Sequence, residues 1–518
     1  MRTAAHGLGL FVFGLSLLHS ATLSVAQAAI GAGQLQDEVR DLIQSSKLGA
    51  ARVGVCLMDP RDGTLLASYN AYEPFTPASN MKLLTSGAAV MVLGPDFVFK
   101  TEVALDGTRL IIKGSGDPAL GDPEVLKRGD KNLTVDDMLR TVAGALPKAG
   151  ITSVSEVIVD DRVFDREFVH PRWNKENLHL AYSAPVAGIN FHTNVLSVFP
   201  KPHPSGAGAT PLYSTQPDVS WLRIDTSKAR TISKGSNTVW LARNGDDTSF
   251  IMRGDVAVQA KVAADVTLGE PPIFFGRVMA TNLISAGVKI ADQTVVGSNI
   301  PTNVRVVQSD EAINEGRVLA VISTPIEEVL RRCNVDSENL YAESLFKRMG
   351  NAITKEPGSW TNGAAVMRMM LSKELGPEAA ASTTVSDGSG LSPDNKVSPH
   401  TVAAWLSDIS KKSWGPTFIH SLATPGEGTL EKRFRTTKLR NQVYAKSGYI
   451  KGVRCLSGFV NDPASGESLV FSILINDLPT GGSEIEHMES KKLHEEIVEL
   501  LDKTLAKRVG AREAKVGG

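Results

Sequence analysis

The chain has 518 residues, enough for roughly two to four domains, each with its own core. Hydrophobic residues make up 42% and charged residues 21%, the balance of an ordinary globular protein. A formal net charge of −1 leaves no basic excess with which to hold nucleic acid.

At the N-terminus, Arg2 and His6 precede an apolar run from Leu8 to Leu18, and Ala26-Gln27-Ala28 offers small residues for cleavage. The run is too short to span a bilayer comfortably, so residues 1–28 read as a removed secretory signal. This places the protein outside the cytoplasm, in the periplasm or an equivalent compartment. No Cys closely follows the run to carry a lipid, and no other segment is long and apolar enough for a transmembrane helix. Cys56, Cys333 and Cys455 allow at most one disulfide. Cys56 and Cys455 lie in apolar, strand-like stretches and read as buried free thiols. No CxxC or Cys/His cluster suggests a metal.

The mature chain opens on a helix over about Gln34 to Ser46, followed by a hairpin of Arg52–Met58 and Thr64–Tyr69 around the turn Pro60–Gly63. Pro77 and Ser79 then start a long apolar-periodic helix that ends near Val92. From Phe97 to about Ile322 the texture is hairpin-rich. Lys100–Leu105 and Thr108–Lys113 flank an Asp-Gly turn, and Trp240–Arg243 and Phe250–Arg253 flank an Asn-Gly turn. Helices are few there, notably Val135–Lys148 and Pro272–Ala286. The Pro/Gly/Ser stretch beginning at Pro200 marks a boundary inside this region. Beyond it, helices over Pro325–Cys333 and Leu340–Met349 precede strands at Val443–Ala445, Gly452–Val460 and Leu469–Ile475. A closing helix from about Glu484 to Lys507 carries Leu493, Ile497, Leu500, Leu501 and Leu505 at helical spacing, a stripe suited to packing on a sheet. Chain ends that share one sheet predict an α/β sandwich over residues 29–96 and 323–518. Residues 97–322 form a β-rich insert, with an inner domain at about 200–265.

Three motifs carry chemistry: Ser79-Asn80-Met81-Lys82, Ser337-Glu338-Asn339 and Lys446-Ser447-Gly448. Ser79 and Lys82 lie about one helical turn apart on one face. A serine hydroxyl needs an adjacent base, and an ammonium cannot serve, so Lys82 must be neutral part of the time. Burial and a neighbouring positive charge, for which Lys446 is placed, both favour the neutral amine. The Ser79 backbone N–H, at a helix start, and that of Tyr449 would face a developing oxyanion. Ser337 would relay a proton to the leaving amine, while Asn339 orients Lys82 and binds a substrate carbonyl. Lys446 and Ser447, on a strand edge that can pair with an extended peptide, would hold its terminal carboxylate, and Gly448 would let it approach. Each motif also has a plain alternative. Ser344-Leu-Phe-Lys347 repeats S-x-x-K in mid-helix, where a serine is usually solvated or bonded to its own helix. Ser337 could be an N-cap and Lys446 a solvated edge guard. No G-x-S-x-G elbow or H-E-x-x-H is present, and Lys113-Gly-Ser-Gly-Asp-Pro118 lacks the ending of a Walker loop.

In this order the motifs follow the S-x-x-K, S-x-N, K-[ST]-G pattern of penicillin-binding proteins and serine β-lactamases. The chain resembles the low-molecular-mass class C penicillin-binding proteins, which are D-alanyl-D-alanine carboxypeptidases and endopeptidases. The likeness covers nearly all of the mature chain, through Pro77–Thr85, Gly114–Leu120, Val159–Phe164, Tyr182–Val186, Asp387–Ser392, Gly426–Leu430 and Ala445–Gly448. The long insert after the first motif separates this family from β-lactamases. The resemblance implies Ser79 as acylated nucleophile, Lys82 as base, Ser337 and Asn339 as relay and orienter, and Lys446 as carboxylate-binding cation. It also implies an insert acid near a diaminopimelate side chain, for which Asp160 and Asp161 both match; a charged strand end accounts for that pair equally well. Ser447 replaces the commoner Thr, and Tyr449 stands where Ser or Thr is usual, which implies altered β-lactam affinity. The expected protein is an exported serine DD-peptidase that needs no metal or organic cofactor. It would cleave the D-Ala-D-Ala end or D-Ala cross-bridges of peptidoglycan stem peptides and be inhibited by β-lactams. A serine β-lactamase or esterase would instead release bound penicillin quickly, and a non-catalytic wall-binding protein would not be labelled by it.

Overall fold

The computed structural model describes residues 33–129, 131–219, 221–244, 246–291, 300–479 and 484–516. The expected signal segment, residues 1–28, lies outside them. Among the described residues no helix is long and apolar enough to cross a membrane. The chain divides into two compact units, one of Met1–Pro77 with Lys396–Gly518 and one of Ala78–Asn395. The expected boundaries at 97 and 322 fall inside the second unit.

The first unit is built on a five-stranded antiparallel sheet in the order Gln442–Ile450, Val453–Asn461, Ser468–Asn476, Arg52–Met58, Leu65–Tyr69. The run Leu469–Ile475 is buried at every residue. Successive side chains point to opposite faces, so both faces of this central strand are covered. Helices Pro399–Ser410 and Glu484–Val516 supply the cover. In the closing helix Leu493, Ile497, Leu501 and Leu505 are all buried, so its apolar stripe faces the core as its spacing predicts. Buried Asp502 of this helix accepts backbone N–H bonds from Arg440 and Asn441, at 2.9–3.2 Å, at the entrance to the strand Gln442–Ile450. The chain ends thus meet in one sheet because each contributes strands too apolar to stand alone.

In the second unit, helix Met81–Leu93 packs on helices Ile326–Asn334, Asn339–Thr354 and Trp360–Leu375. The same unit holds a mixed five-stranded sheet in the order Val304–Val306, Glu156–Asp160, Arg109–Lys113, Val98–Asp106, Arg317–Pro325. Gly107, at a φ of 60°, turns the expected Asp-Gly hairpin. Two three-stranded sheets follow. One joins Trp240–Asn244 and Asp246–Val256 as the expected hairpin, with Arg223–Thr231 added in parallel. A continuous apolar core links the mixed sheet to helices Val135–Lys148 and Pro271–Ser285 through Phe191, Phe274 and Phe275. Cys56, Cys333 and Cys455 are buried and none is in a disulfide, and burial pushes Cys56 up to about 12.

Gly458 faces the edge strand so closely that a Cβ there would lie 2.0 Å from the Tyr444 carbonyl oxygen. Gly458→Ala should therefore destabilise the first unit by about 1–3 kcal/mol, as overpacking does, read as a lowered midpoint in denaturant unfolding.

Candidate active site

The approach to Ser79 is set by backbone conformation. Ala78 has a φ of 45°, in the left-handed region that side chains resist, and it leads into a single turn of 3₁₀ helix, Ala78–Asn80. The α-helix proper starts at Met81, so Lys82 sits in its first turn. Gly390, at a φ of 83°, lies against this turn; a Cβ there would come within 1.8 Å of the Ala78 carbonyl oxygen. Only glycine allows that approach.

Lys82 is fully buried. Its Nζ lies 3.2 Å from Ser79 Oγ, 2.6 Å from Asn339 Oδ1 and 3.0 Å from the Ser389 carbonyl oxygen. Burial holds the amine below the usual lysine range, against the opposing charges of Glu343, Asp387 and Glu338. The positive end of the Met81–Leu93 helix works in the same direction as burial. A neutral amine fits these partners. Asn339 Oδ1 and the Ser389 carbonyl can only accept, and together they take two N–H groups. Ser79 alone can donate, and the amine lone pair remains for its proton. The Asn339 amide is fixed from its other side as well, since Nδ2 donates to the Tyr182 carbonyl at 2.7 Å.

Ser337 has a φ of 66°, and helix Asn339–Thr354 starts two residues later with Glu338 as its cap residue and no side-chain cap bond. Ser337 is therefore not the N-cap that its position suggested. Its turn is gripped by Arg332, which is buried. The Arg332 guanidinium bonds Asp122 at 2.9 Å and Asp336 at 3.0 Å and approaches Glu338 at 3.8 Å, while Tyr341 Oη donates to Asp122 at 2.5 Å. Acids on both sides of Ser337 thus converge on one guanidinium, and Asp122 brings in the segment that follows Gly114–Leu120.

The second S-x-x-K copy departs from expectation. Ser344 and Lys347 are both buried, not solvated. Ser344 Oγ accepts from Asn190 at 3.3 Å. Lys347 is ion-paired to Asp165 at 2.7 Å, and its Nζ lies 3.8 Å from the Trp360 ring centroid. Asp160 ends a strand and is held by Arg162 at 2.8 Å; Asp161, buried, is held by Arg166 at 2.8 Å. Both carboxylates are therefore already occupied by guanidinium groups.

Two acids stand behind Lys82: Glu343, which no motif marks, and Asp387, which opens the family-like segment Asp387–Ser392. Glu343 accepts from the Ser389 and Gly388 N–H groups and from Trp360 Nε1, at 2.7, 3.0 and 2.8 Å. Asp387 accepts from Gly390, Ser392, Asn395 and Trp173 Nε1, at 2.6–2.9 Å. The only sequence signal for Glu343 was a carboxylate four residues beyond Asn339, on the same helix face.

In the first unit, Lys446, Ser447, Gly448 and Tyr449 lie on the edge strand Gln442–Ile450. Lys446 is buried, and one bond of its Nζ goes to the Ser447 carbonyl at 3.1 Å. The Ala445 N–H points outward, to Ala423 at 2.9 Å. Outward N–H groups recur at every second residue, so those of Ser447 and Tyr449 also face away from the sheet. Tyr449 is 55% exposed, and the guanidinium of its cross-strand partner Arg454 stacks 3.6 Å from its ring centroid. Among the described residues no group of three or more His, Cys, Asp or Glu is placed to hold a metal ion.

The chain is similar to known proteins over most of its length. The model of a family described as "D-Ala-D-Ala carboxypeptidase 3 (S13) family" matches residues 35–504. A D-alanyl-D-alanine carboxypeptidase of an Actinomadura species is 31% identical over 462 residues, 86% of this chain and 81% of that one. The D-alanyl-D-alanine carboxypeptidase DacB of Haemophilus influenzae is 25% identical over 86% of this chain and 89% of its own. In fold, the crystal structure of penicillin binding protein 4 (dacB) from Haemophilus influenzae superposes with a TM-score of 0.69 at 22% identity. That match covers 89% of this chain and 99% of that one.

Asp122→Ala should destabilise the second unit by roughly 3–5 kcal/mol, because it strands a buried guanidinium. A double variant, Asp122→Ala with Arg332→Met, should recover part of that loss, with both read from the unfolding midpoint.

Proposed function

The chain belongs to the D-Ala-D-Ala carboxypeptidase 3 (S13) family, and from that premise we propose that it is an exported serine DD-peptidase acting through a Ser79 acyl-enzyme. The observation that carries this reading is a fully buried Lys82 amine 3.2 Å from Ser79 Oγ, with two acceptor-only partners completing its shell.

The proton of Ser79 Oγ passes to the Lys82 lone pair while the oxygen attacks the penultimate D-Ala carbonyl carbon. Ser337 relays the proton to the departing amine, which is free D-Ala at a stem end or a cross-bridge amine. Water then hydrolyses the ester and returns Ser79. Asn339 keeps the Lys82 amine in place, and the second hydrogen of its Nδ2 is available to a substrate carbonyl. The outward N–H of Tyr449 supports its assignment as an oxyanion donor beside that of Ser79. Lys446 and Ser447 take the terminal carboxylate, and Gly448 leaves the strand open to an extended peptide. A diaminopimelate ammonium would share Asp160 with Arg162 or Asp161 with Arg166. β-Lactams inhibit by acylating the same hydroxyl.

Fluorescent penicillin should label the wild-type protein covalently, and Ser79→Ala should abolish the label while leaving the unfolding midpoint unchanged. An unlabelled but folded wild type would favour a wall-binding role, and rapid loss of the label would favour a β-lactamase. Lys82→Arg supplies a permanent cation in place of the base, so the acylation rate should fall by about 10²–10⁴-fold. In the wild type, acylation should rise with pH through a lysine value depressed below the ordinary range, because only the neutral amine accepts the proton.

A further inference from the structure

Glu343 is fully buried on helix Asn339–Thr354, one turn beyond Asn339. Each of its three bonds comes from a donor: the Ser389 N–H at 2.7 Å, the Gly388 N–H at 3.0 Å and Trp360 Nε1 at 2.8 Å. All three bonded partners are donors and none is an acceptor for a carboxyl O–H, so the arrangement favours the ionised form. The residue held this way is the one whose carbonyl reaches Lys82 at 3.0 Å. The loop also packs tightly on the same helix, since a Cβ on Gly388 would lie 2.6 Å from Phe346 Cβ. Asp387 fastens the far side of the loop through Gly390, Ser392 and Asn395. Helix Asn339–Thr354 therefore provides both acceptor-only partners of Lys82, one directly through Asn339 and one through Glu343 and the Ser389 peptide.

We propose that Glu343 is a positioning residue for acylation: as a carboxylate it fixes the Gly388–Ser389 peptide, so that Ser389 and Asn339 occupy two Lys82 N–H groups and the amine lone pair is left facing Ser79. The inference rests on the reading of Lys82 as the base. The titratable groups that face Lys82 are the Cys333 thiol from helix Ile326–Asn334, Glu338 and Glu343 from the second motif and its helix, and Asp387 from the loop. Glu343 itself faces Asp387 and Lys347. Burial, and then the charge of Asp387, lift its carboxyl to about 7. Protonation near neutral pH would thus weaken the hold on the peptide and contribute an acid limb to the acylation profile.

The test is the acylation rate with a fluorescent penicillin, followed against pH, together with the unfolding midpoint. Glu343→Gln should lower the plateau rate by about 10²-fold, the scale of a small misplacement of reacting groups. It should also move the acid limb to lower pH, because the titrating carboxyl is gone and Lys82 loses a negative neighbour that favours its ammonium. Glu343→Asp, which keeps the charge, should keep a limb near its wild-type position and recover part of the rate. Trp360→Phe leaves the carboxylate but removes a donor to its ionised form, so its limb should move to higher pH even if Glu343→Gln does not fold. A Glu343→Gln protein with the wild-type plateau and limb would overturn the proposal. So would a lowered plateau whose limb stays put in both Glu343→Gln and Trp360→Phe, since a merely structural role moves no limb. Absence of acylation in the wild type would overturn the reading of Ser79 itself, and the inference with it.

Discussion

A lysine amine sealed from solvent and surrounded by uncharged partners is the constraint around which the second unit is arranged. A buried ammonium demands a counter-charge, and a carboxylate in contact with Lys82 would supply one at the expense of the base. The chain meets neither extreme. The three partners of Lys82 are a hydroxyl, an amide oxygen and a peptide carbonyl. The acids stand one layer further out, bonded to the groups that touch the amine and not to the amine. From there their field keeps desolvation from running unopposed, while the contacts leave a lone pair available.

That outer layer needs its own anchors, because two buried carboxylates repel each other. Each is given an indole donor. Trp360 serves Glu343 and Trp173 serves Asp387, and the two rings meet edge to face at a centroid distance of 5.9 Å. Aromatic bulk excludes water, and the ring nitrogens satisfy the acids that this exclusion would otherwise destabilise. Backbone conformation completes the support. Ala78, Ser337 and Gly390 all adopt positive φ, at 45°, 66° and 83°, and each adjoins a group that touches or flanks Lys82. For Ala78 and Ser337, which are not glycine, such conformations persist only where the surroundings over-determine them. Here Gly390 against Ala78 and Arg332 among Asp122, Asp336 and Glu338 provide that determination.

Much of this was legible in the sequence, and the remainder was hidden for physical reasons. Apolar patterns located Arg52–Met58, Val135–Lys148 and the start of the closing helix almost to the residue, although that helix runs on to Val516, past the expected end near Lys507. The Asp-Gly and Asn-Gly turns placed two hairpins. Helices Trp360–Leu375 and Pro399–Ser410 were not anticipated, and the parallel pairing of Arg109–Lys113 with Glu156–Asp160 links segments too far apart in the chain to carry a local pattern. At the site, Ser79, Lys82 and Asn339 announced themselves by motif. Glu343 and Asp122 did not, since a buried acid is recognised by its partners, and these are remote in the chain: 17, 45 and 46 residues away for Glu343 and 210 for the Arg332 that binds Asp122. For Ser337 the plain alternative of a helix cap does not hold, because its left-handed backbone moves the helix start past it.

The two S-x-x-K copies show why spacing alone carries so little. Ser79 with Lys82 and Ser344 with Lys347 lie in the same unit, and both lysines are fully enclosed. Burial depresses both amines. They diverge in what the surroundings give back. Lys347 has a carboxylate at 2.7 Å and the face of Trp360 beneath it, both of which favour the cation, so it acts as a buried tie between Asp165 and its helix. Its serine accepts from Asn190 instead of meeting the lysine. Lys82 receives no such compensation from its contacts and keeps a hydroxyl at its open valence. The chemistry of the motif thus lies in the second layer of each lysine, where a directly bound acid makes a strut and an acid held one bond away leaves a base.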